Sequence, residues 1–445
     1  MRSRTLALFV IFNTVLVGLL VWVALLAAPL KRETPPWWYP VRALTLRPSG
    51  DPGDSWRQMS SARQYLSSAA TNKLPIYTAL LVGQKAKFQY PLTSLFPFTV
   101  LEDLAAILNI NREKFFLLVG WPFILVALAS TYTLLRVRLP ESEAGLLLGA
   151  VVVFAGLTYH PLVKPLVTGN WQTWINGFFA LALLAFAIGY RAVSGVLFGL
   201  MCLLKPHYAL FLLWSLLRKE WRFAIACLVV GLTGLTASVA VWGWADNLDY
   251  LNGLSFLSQH GESSYHNQSP NGLLNRLAWL FDQQHKMHAG LPFPEYVPFV
   301  YVGTLLSALL LIFTALAFRP KDKTIDFCIM IVSITIASPI TWQHHYGVLF
   351  PIYVVAFAAL RESPTALMWL AASFVLTSHN IEAVGLFTRT PVNLLVSYML
   401  FGALILLMLL YRAGFPAIAA QLARAPEGNR EVQDGASGSG DTLER

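Results

Sequence analysis

The sequence predicts an all-α polytopic membrane protein of about twelve transmembrane helices, with external loops that carry amphipathic helices. Three observations predict it. Of 445 residues, 56% are hydrophobic and 12% charged, against roughly 25% charged in an ordinary soluble domain, and no soluble fold hides that much apolar surface. The apolar residues come as runs that can enter a bilayer rather than as one-sided stripes. Short basic clusters recur beside those runs and fall on every second loop.

The first run, Thr5 to Leu30, has Asn13 as its only strongly polar side chain. It is longer than the apolar core of a secretory signal and reads as an uncleaved first span. The following spans are 114–135, 144–160, 171–190, 192–204, 207–217, 223–243, 298–318, 325–341, 346–360, 365–380 and 393–411, several short enough to be tilted or re-entrant. With Arg2 and Arg4 in the cytoplasm, the loops on that side carry Arg136/Arg138, Arg191, Arg218/Lys219/Arg222, Arg319/Lys321/Lys323, Arg361 and Arg412. A missed span would throw later clusters to the wrong side, so this register supports the count and places both termini in the cytoplasm. The net charge of +9 is therefore a topology signal. It forms no basic stripe with interleaved aromatics, and no nucleic-acid partner is expected. Cys202, Cys227 and Cys328 lie inside apolar runs without zinc or disulfide spacing, and are assigned to packing.

Two long segments, 31–113 and 244–297, fall on the opposite side, with shorter ones near 161–170, 341–346 and 380–392. In the first, Pro35 to Tyr39 is an aromatic cluster suited to the headgroup zone, and Trp56 to Ser68 has the pattern of an amphipathic helix lying on the membrane. The chain divides into a transmembrane domain, 1–423, and a Gly- and Ser-rich tail, 424–445, expected to be disordered and dispensable for chemistry. No short-period repeat suggests a solenoid.

Ionisable groups at apolar runs need a reason, since each costs roughly 2.5–3.5 kcal/mol at mid-bilayer on insertion scales. Lys205, with Pro206 and His207, separates two apolar runs near the outer interface, where a cation can hold a lipid phosphate. The competing reading is that it snorkels to the headgroups. Ser338 to Tyr346 joins two spans externally and includes His344 and His345, which can donate to a phosphate. Adjacent imidazoles point about 100° apart on a helix, which disfavours a two-His metal site, and an interfacial structural role is the alternative. Asp54, with Asp51 nearby, precedes the Trp56 helix. It is a natural N-cap, the commoner fate of an Asp before such a stretch and the one spacing alone favours, and it can also be a base held near the bilayer surface. Phe88-Gln89-Tyr90-Pro91-Leu92 reads as packing or groove wall. The second long segment gathers His260, His266, Asn267, Gln268, Ser269, Asn271, Asn275 and Arg276; Asn267-Gln268-Ser269 matches a glycosylation sequon only formally, and the whole also fits a plain loop with Arg276 as an interfacial anchor. The sequence has no glycine-rich phosphate loop, no dinucleotide fingerprint and no acidic pair spaced to hold a nucleotide-bound metal.

Four elements together resemble glycosyltransferase family 87 of the C-type superfamily: Asp54 with Tyr77 and Phe88-Gln89-Tyr90-Pro91; Gly169-Asn170 before a span; Lys205-Pro206 followed by Arg218-Lys219-Glu220-Trp221-Arg222; and Ser338-Pro339 to Trp342 with His344-His345. They cover roughly residues 50 to 350, and Leu92 stands where the family usually has a second Pro. The resemblance implies inverting transfer of a sugar, commonly mannose and in some relatives arabinofuranose, from a polyprenyl-phosphate donor to a lipid or glycan acceptor on the external face of the plasma membrane. It implies Asp54 as the base, Lys205, His344, His345 and Arg276 on the donor phosphate, and Tyr90, Asn170, Asn267, Gln268 and Trp342 along the substrate groove, with no metal or cofactor. A transporter or flippase of a lipid-linked sugar, and a non-catalytic scaffold, are the competing classes.

Overall fold

The computed structural model describes residues 38–48, 56–68, 74–140, 145–281 and 293–415. The first span, Asp51, Asp54 and the tail lie outside the described residues. Among the described residues sixteen α-helices run in order: α1 Trp38–Leu44, α2 Trp56–Ser67, α3 Leu95–Ile107, α4 Arg112–Arg138, α5 Leu146–Thr158, α6 His160–Val167, α7 Gln172–Ala187, α8 Arg191–Leu204, α9 Leu210–Leu217, α10 Trp221–His260, α11 Pro270–Phe281, α12 Pro298–Ala317, α13 Lys323–Ala337, α14 Leu349–Leu360, α15 Pro364–Ser378 and α16 Tyr398–Gly414. Among the described residues there is no β-strand, and one isolated antiparallel bridge pairs Asn267 with Trp342.

Each predicted span within the described residues coincides with a helix, yet length qualifies only some of them as crossings. Four helical stretches are long and apolar enough: Arg112–Arg138, Trp221–His260, Pro298–Ala317 and Asn393–Gly414; α5 and α6, bent by 55°, make a fifth if taken together. Helices such as α7, α8 and α15 are apolar but of 14–16 residues, so at 1.5 Å per residue they reach about 21–24 Å, short of a hydrocarbon core of about 30 Å. Twelve complete crossings are therefore more than helix length supports. The reason is structural: α7 begins and α8 ends at a shared polar cavity, and α13 and α14 are separated there by a 3₁₀ turn, Gln343–Val348.

The core runs through α7, α13 and α14, whose side chains are almost all buried. At the periphery, α10 and α12 expose Ile225, Val229, Leu232, Leu306, Leu310 and Phe313, as a lipid-facing helix should. Gly195 and Gly199 form a GxxxG face on α8 against α10. A Cβ at Gly195 would sit 2.3 Å from the Phe223 carbonyl, and one at Gly199 would sit 2.6 Å from Val230, so only glycine permits that backbone approach. Helix α10 breaks at Gly243, where φ is +81°, the position at which the sequence ended the span. Trp56–Ser67 is helical as expected, and buries Trp56, Met59 and Ala62 on one face.

The bundle has two distinguishable ends. At one, Arg138 pairs with Asp322 at 2.5 Å, Arg218 with Asp326 at 2.6 Å, and Glu220 with Lys323 at 2.8 Å and Arg191 at 3.4 Å. Helix α8 starts there with Arg191 and finishes about 21 Å away at Lys205. The basic clusters assigned to one face by the sequence thus include four that meet in space.

Candidate functional site

The far end of α8 opens into a cavity of about 1450 Å³, large for a single small-molecule site. Its lining falls into two parts. Leu204, Leu210, Leu213, Leu305, Leu309 and Ile312 make an apolar arm between α8–α9 and α12, and the other part gathers Arg42, Arg57, Lys87, Lys164, Lys205 and the imidazoles of His207, His266, His344 and His345.

Lys205 caps α8 in an extended conformation before Pro206, because a residue preceding proline is pushed out of the helical region. Its ammonium donates to Gln172 Oε1 at 2.8 Å and meets His345 Nε2 at 2.7 Å. Gln172 is held in turn by Asn176 at 3.0 Å, while its backbone N–H donates to Asn170 Oδ1 at 2.9 Å. Burial and the neighbouring Lys205 charge push His344 and His345 well below the ordinary imidazole range, so both are neutral at pH 7. His345 is then an acceptor for Lys205, and these two contacts orient its ammonium. His344 is almost fully buried, and among the described residues its Nδ1 has no hydrogen-bond partner.

Gly169 turns the chain at φ +67° before Asn170, and a Cβ there would lie 1.8 Å from Trp56 Nε1. Gly169 therefore lets the chain pass close against the Trp56 indole. Tyr90 is fixed through its carbonyl, which accepts from Tyr77 at 2.7 Å, and Tyr77 stacks on Phe88. Trp342 donates its indole N–H to Glu262, which also accepts from Lys87. Tyr90, Asn170, Lys205, Trp342, His344 and His345 all line the cavity.

Over residues 88–339, more than half of the chain, the sequence matches the model of glycosyltransferase family 87. The chain belongs to glycosyltransferase family 87. No curated protein and no solved structure matches it. The matched region of this membrane glycosyltransferase contains Tyr90, Asn170, Lys205, Asn267, Gln268 and Arg276; Trp342, His344, His345 and Asp54 lie beyond it.

Three of the expected site residues stand behind the family 87 cavity rather than in its wall. Arg276 is wholly buried and spends its guanidinium on Ser397 Oγ at 2.9 Å, the Asn267 carbonyl at 2.8 Å and the Ser264 carbonyl at 3.5 Å. Burial lowers its pKa to about 9, which leaves it protonated at neutral pH. Asn267 bonds the Glu262 and Pro339 carbonyls and the Thr341 N–H. Gln268 ties Tyr265, Val396 and Met399. These side chains hold the 262–269 loop against 338–342, behind the cavity wall.

Sequence reasoning passed over Arg42, Arg57, Lys87, Lys164 and Glu262. Lys164 carried a signal, because an ammonium inside the apolar helix His160–Val167 is costly unless a polar site receives it. Lys87 adjoins the Phe88-Gln89-Tyr90-Pro91 element. Among the described residues, no three His, Cys, Asp or Glu side chains gather closely enough to hold a metal ion.

Proposed function

We propose that this chain transfers a sugar, most simply mannose, from a polyprenyl phosphate to a lipid or glycan acceptor on the external face of the plasma membrane, with inversion. The observation that carries this reading is the two-part lining of the cavity, an apolar arm continuous with a cationic head, which suits an amphiphile whose long hydrocarbon ends in a phosphate. The orientation follows from the ion-paired end, which collects the clusters that the positive-inside rule assigns to the cytoplasm; the cavity lies at the other end of the same helices, and both termini are cytoplasmic. Residues 1–423 form the catalytic unit, and 424–445 are dispensable to it.

In this mechanism the acceptor oxygen attacks the anomeric carbon as the bond from that carbon to the phosphate oxygen breaks. The acceptor proton passes to the Asp54 carboxylate. The departing polyprenyl phosphate gains negative charge, which Lys205 and the cations around it stabilise more strongly than they stabilise the intact donor. Asp54 stands two residues before Trp56, a step of at most about 7 Å along the chain. Trp56 seats on Gly169, and its neighbours Arg57 and Gln58 line the cavity, which supports a role for Asp54 at this site.

The test uses purified protein in nanodiscs with radiolabelled polyprenyl-phosphate mannose and a lipid acceptor fraction. Turnover that disappears in Asp54→Asn with folding retained supports transfer. Movement of the carrier across the bilayer without any transfer would identify a flippase and end this proposal.

A further inference from the structure

We infer that Glu262, Lys87 and Trp342 form a subsite for the hydroxyl groups of the donor sugar, next to the phosphate-binding cluster. The inference rests on the transfer reading above and adds the part of the donor that the cations do not explain.

Among the described residues, Glu262 is the only carboxylate that lines the cavity. Its presence calls for a cause, because an acid in the wall of a phosphate site works against binding an anion. Glu262 is nearly fully buried, and the backbone sets it with care. Gly261 adopts φ +58°, a conformation open chiefly to glycine, and a Cβ there would collide with Asn271 Oδ1 at 2.0 Å. That close approach lets the Glu262 N–H donate to Asn271 Oδ1 at 3.1 Å. The carboxylate then accepts one hydrogen bond on each oxygen, from the Lys87 ammonium and from the Trp342 indole.

Two bonds do not exhaust the group. An ionised carboxylate offers about four lone-pair sites and an ammonium three donors, so the pair presents both acceptors and donors to the cavity beside an indole ring. A sugar is recognised by this combination: its hydroxyls donate to the carboxylate and accept from the ammonium, and its C–H face lies against an aromatic surface. A phosphate or a prenyl chain has no use for the carboxylate.

Position supports the same assignment. The Trp342 and His344 rings are 5.5 Å apart, the His344 and His345 rings 4.8 Å, and His345 Nε2 lies 2.7 Å from Lys205. A continuous ladder of rings therefore joins the carboxylate subsite to Lys205.

The experiment measures binding to the full chain in nanodiscs of two soluble probes, citronellyl phosphate bearing mannose and citronellyl phosphate alone. Glu262→Gln is expected to weaken the mannosyl probe about ten-fold or more and to leave the sugar-free probe unchanged. Because that variant also disturbs the Lys87 contact, a second arm keeps the protein unaltered and removes single sugar hydroxyls. At least one deoxymannosyl probe should bind the wild-type chain about ten-fold more weakly than the mannosyl probe, and Glu262→Gln should bind the two alike. A wild-type chain that holds every deoxy probe as tightly as the mannosyl one, or a Glu262→Gln chain that keeps the full discrimination, overturns the subsite alone. If the wild-type chain binds neither citronellyl probe, the transfer reading fails, and the subsite with it.

Discussion

At the end of the bundle where α4, α9 and α13 meet, cations are matched to carboxylates. Arg218 shows it most fully: it bonds both oxygens of Asp326 and the carbonyls of Ala315, Leu316 and Phe318, with both side chains of the pair buried. At the cavity end, the contacts that fix Lys205 come from an amide oxygen and a neutral imidazole. Both ends bury basic groups that cost several kcal/mol to desolvate. The first ties helices together through ion pairs, while the second brings Arg42, Arg57, Lys87, Lys164 and Lys205 around one cavity, with Lys87 paired to Glu262. A buried charge is thus structural or functional according to what orients it, and the same residue type serves either purpose within a single helix length.

The comparison is broken most directly at its carboxylates. Asp54→Asn should cut turnover about 10²–10⁴-fold and leave the thermal unfolding midpoint in detergent within a degree or two, because the base acts on substrate. Asp326→Asn should do the reverse. Removing one partner of a buried pair costs about 3–5 kcal/mol, so the midpoint should drop sharply while turnover per folded molecule stays near wild type. A chain in which Asp326→Asn unfolds no sooner, or Asp54→Asn turns over normally, would erase the distinction between the ends.

Next in size is Lys205→Ala. It should lose about 2–4 kcal/mol of transition-state stabilisation, read as a fall in kcat/KM for the polyprenyl-phosphate donor, with acceptor KM unchanged. The equivalent change at the paired end, Lys323→Ala, removes a largely exposed partner of Glu220 and should cost under about 1 kcal/mol of stability. Equal effects from the two lysines would mean that the cavity cation is no more than an anchor.

How much of this was legible in the sequence depends on range. Apolar runs gave the helices, and the end of the run at 243 fell where α10 breaks, because apolar composition is a local signal. Lys205 was legible because a lysine and a proline interrupt an apolar stretch, and the structure puts it in the cavity wall. The contacts of Arg276 were not legible, because a basic residue in a polar segment gives no sign whether its donors will meet a ligand or protein oxygens, and here three protein oxygens take them. Lys87 and Glu262 are 175 positions apart, so neither could be seen as half of a pair. The twelve-span count went beyond what helix length supports because hydropathy does not reveal that helices stop part-way at a shared cavity.

The smallest expected effect separates the ends by pH. His344 and His345 have pKa values depressed by burial and by Lys205, so below the ordinary imidazole pKa of about 6.5 the unfolded chain takes up protons that the folded chain refuses. Stability contributed by these groups is full above about pH 6.5 and is lost as the pH falls toward their lower folded values, by up to about 1.4 kcal/mol per unit for each histidine. At the paired end, burial works against the charge of Asp322, but the bonds from Arg138 and from the Thr324 and Ile325 amides outweigh it and hold its pKa below 3.8. Its contribution is present above that value and lost only in stronger acid. Between about pH 6.5 and 5, unfolding midpoints should therefore fall in the wild type and fall less in His345→Gln. An unchanged slope in that variant would mean that the acid sensitivity arises elsewhere, and that the neutral imidazole beside Lys205 is not what the cavity end depends on.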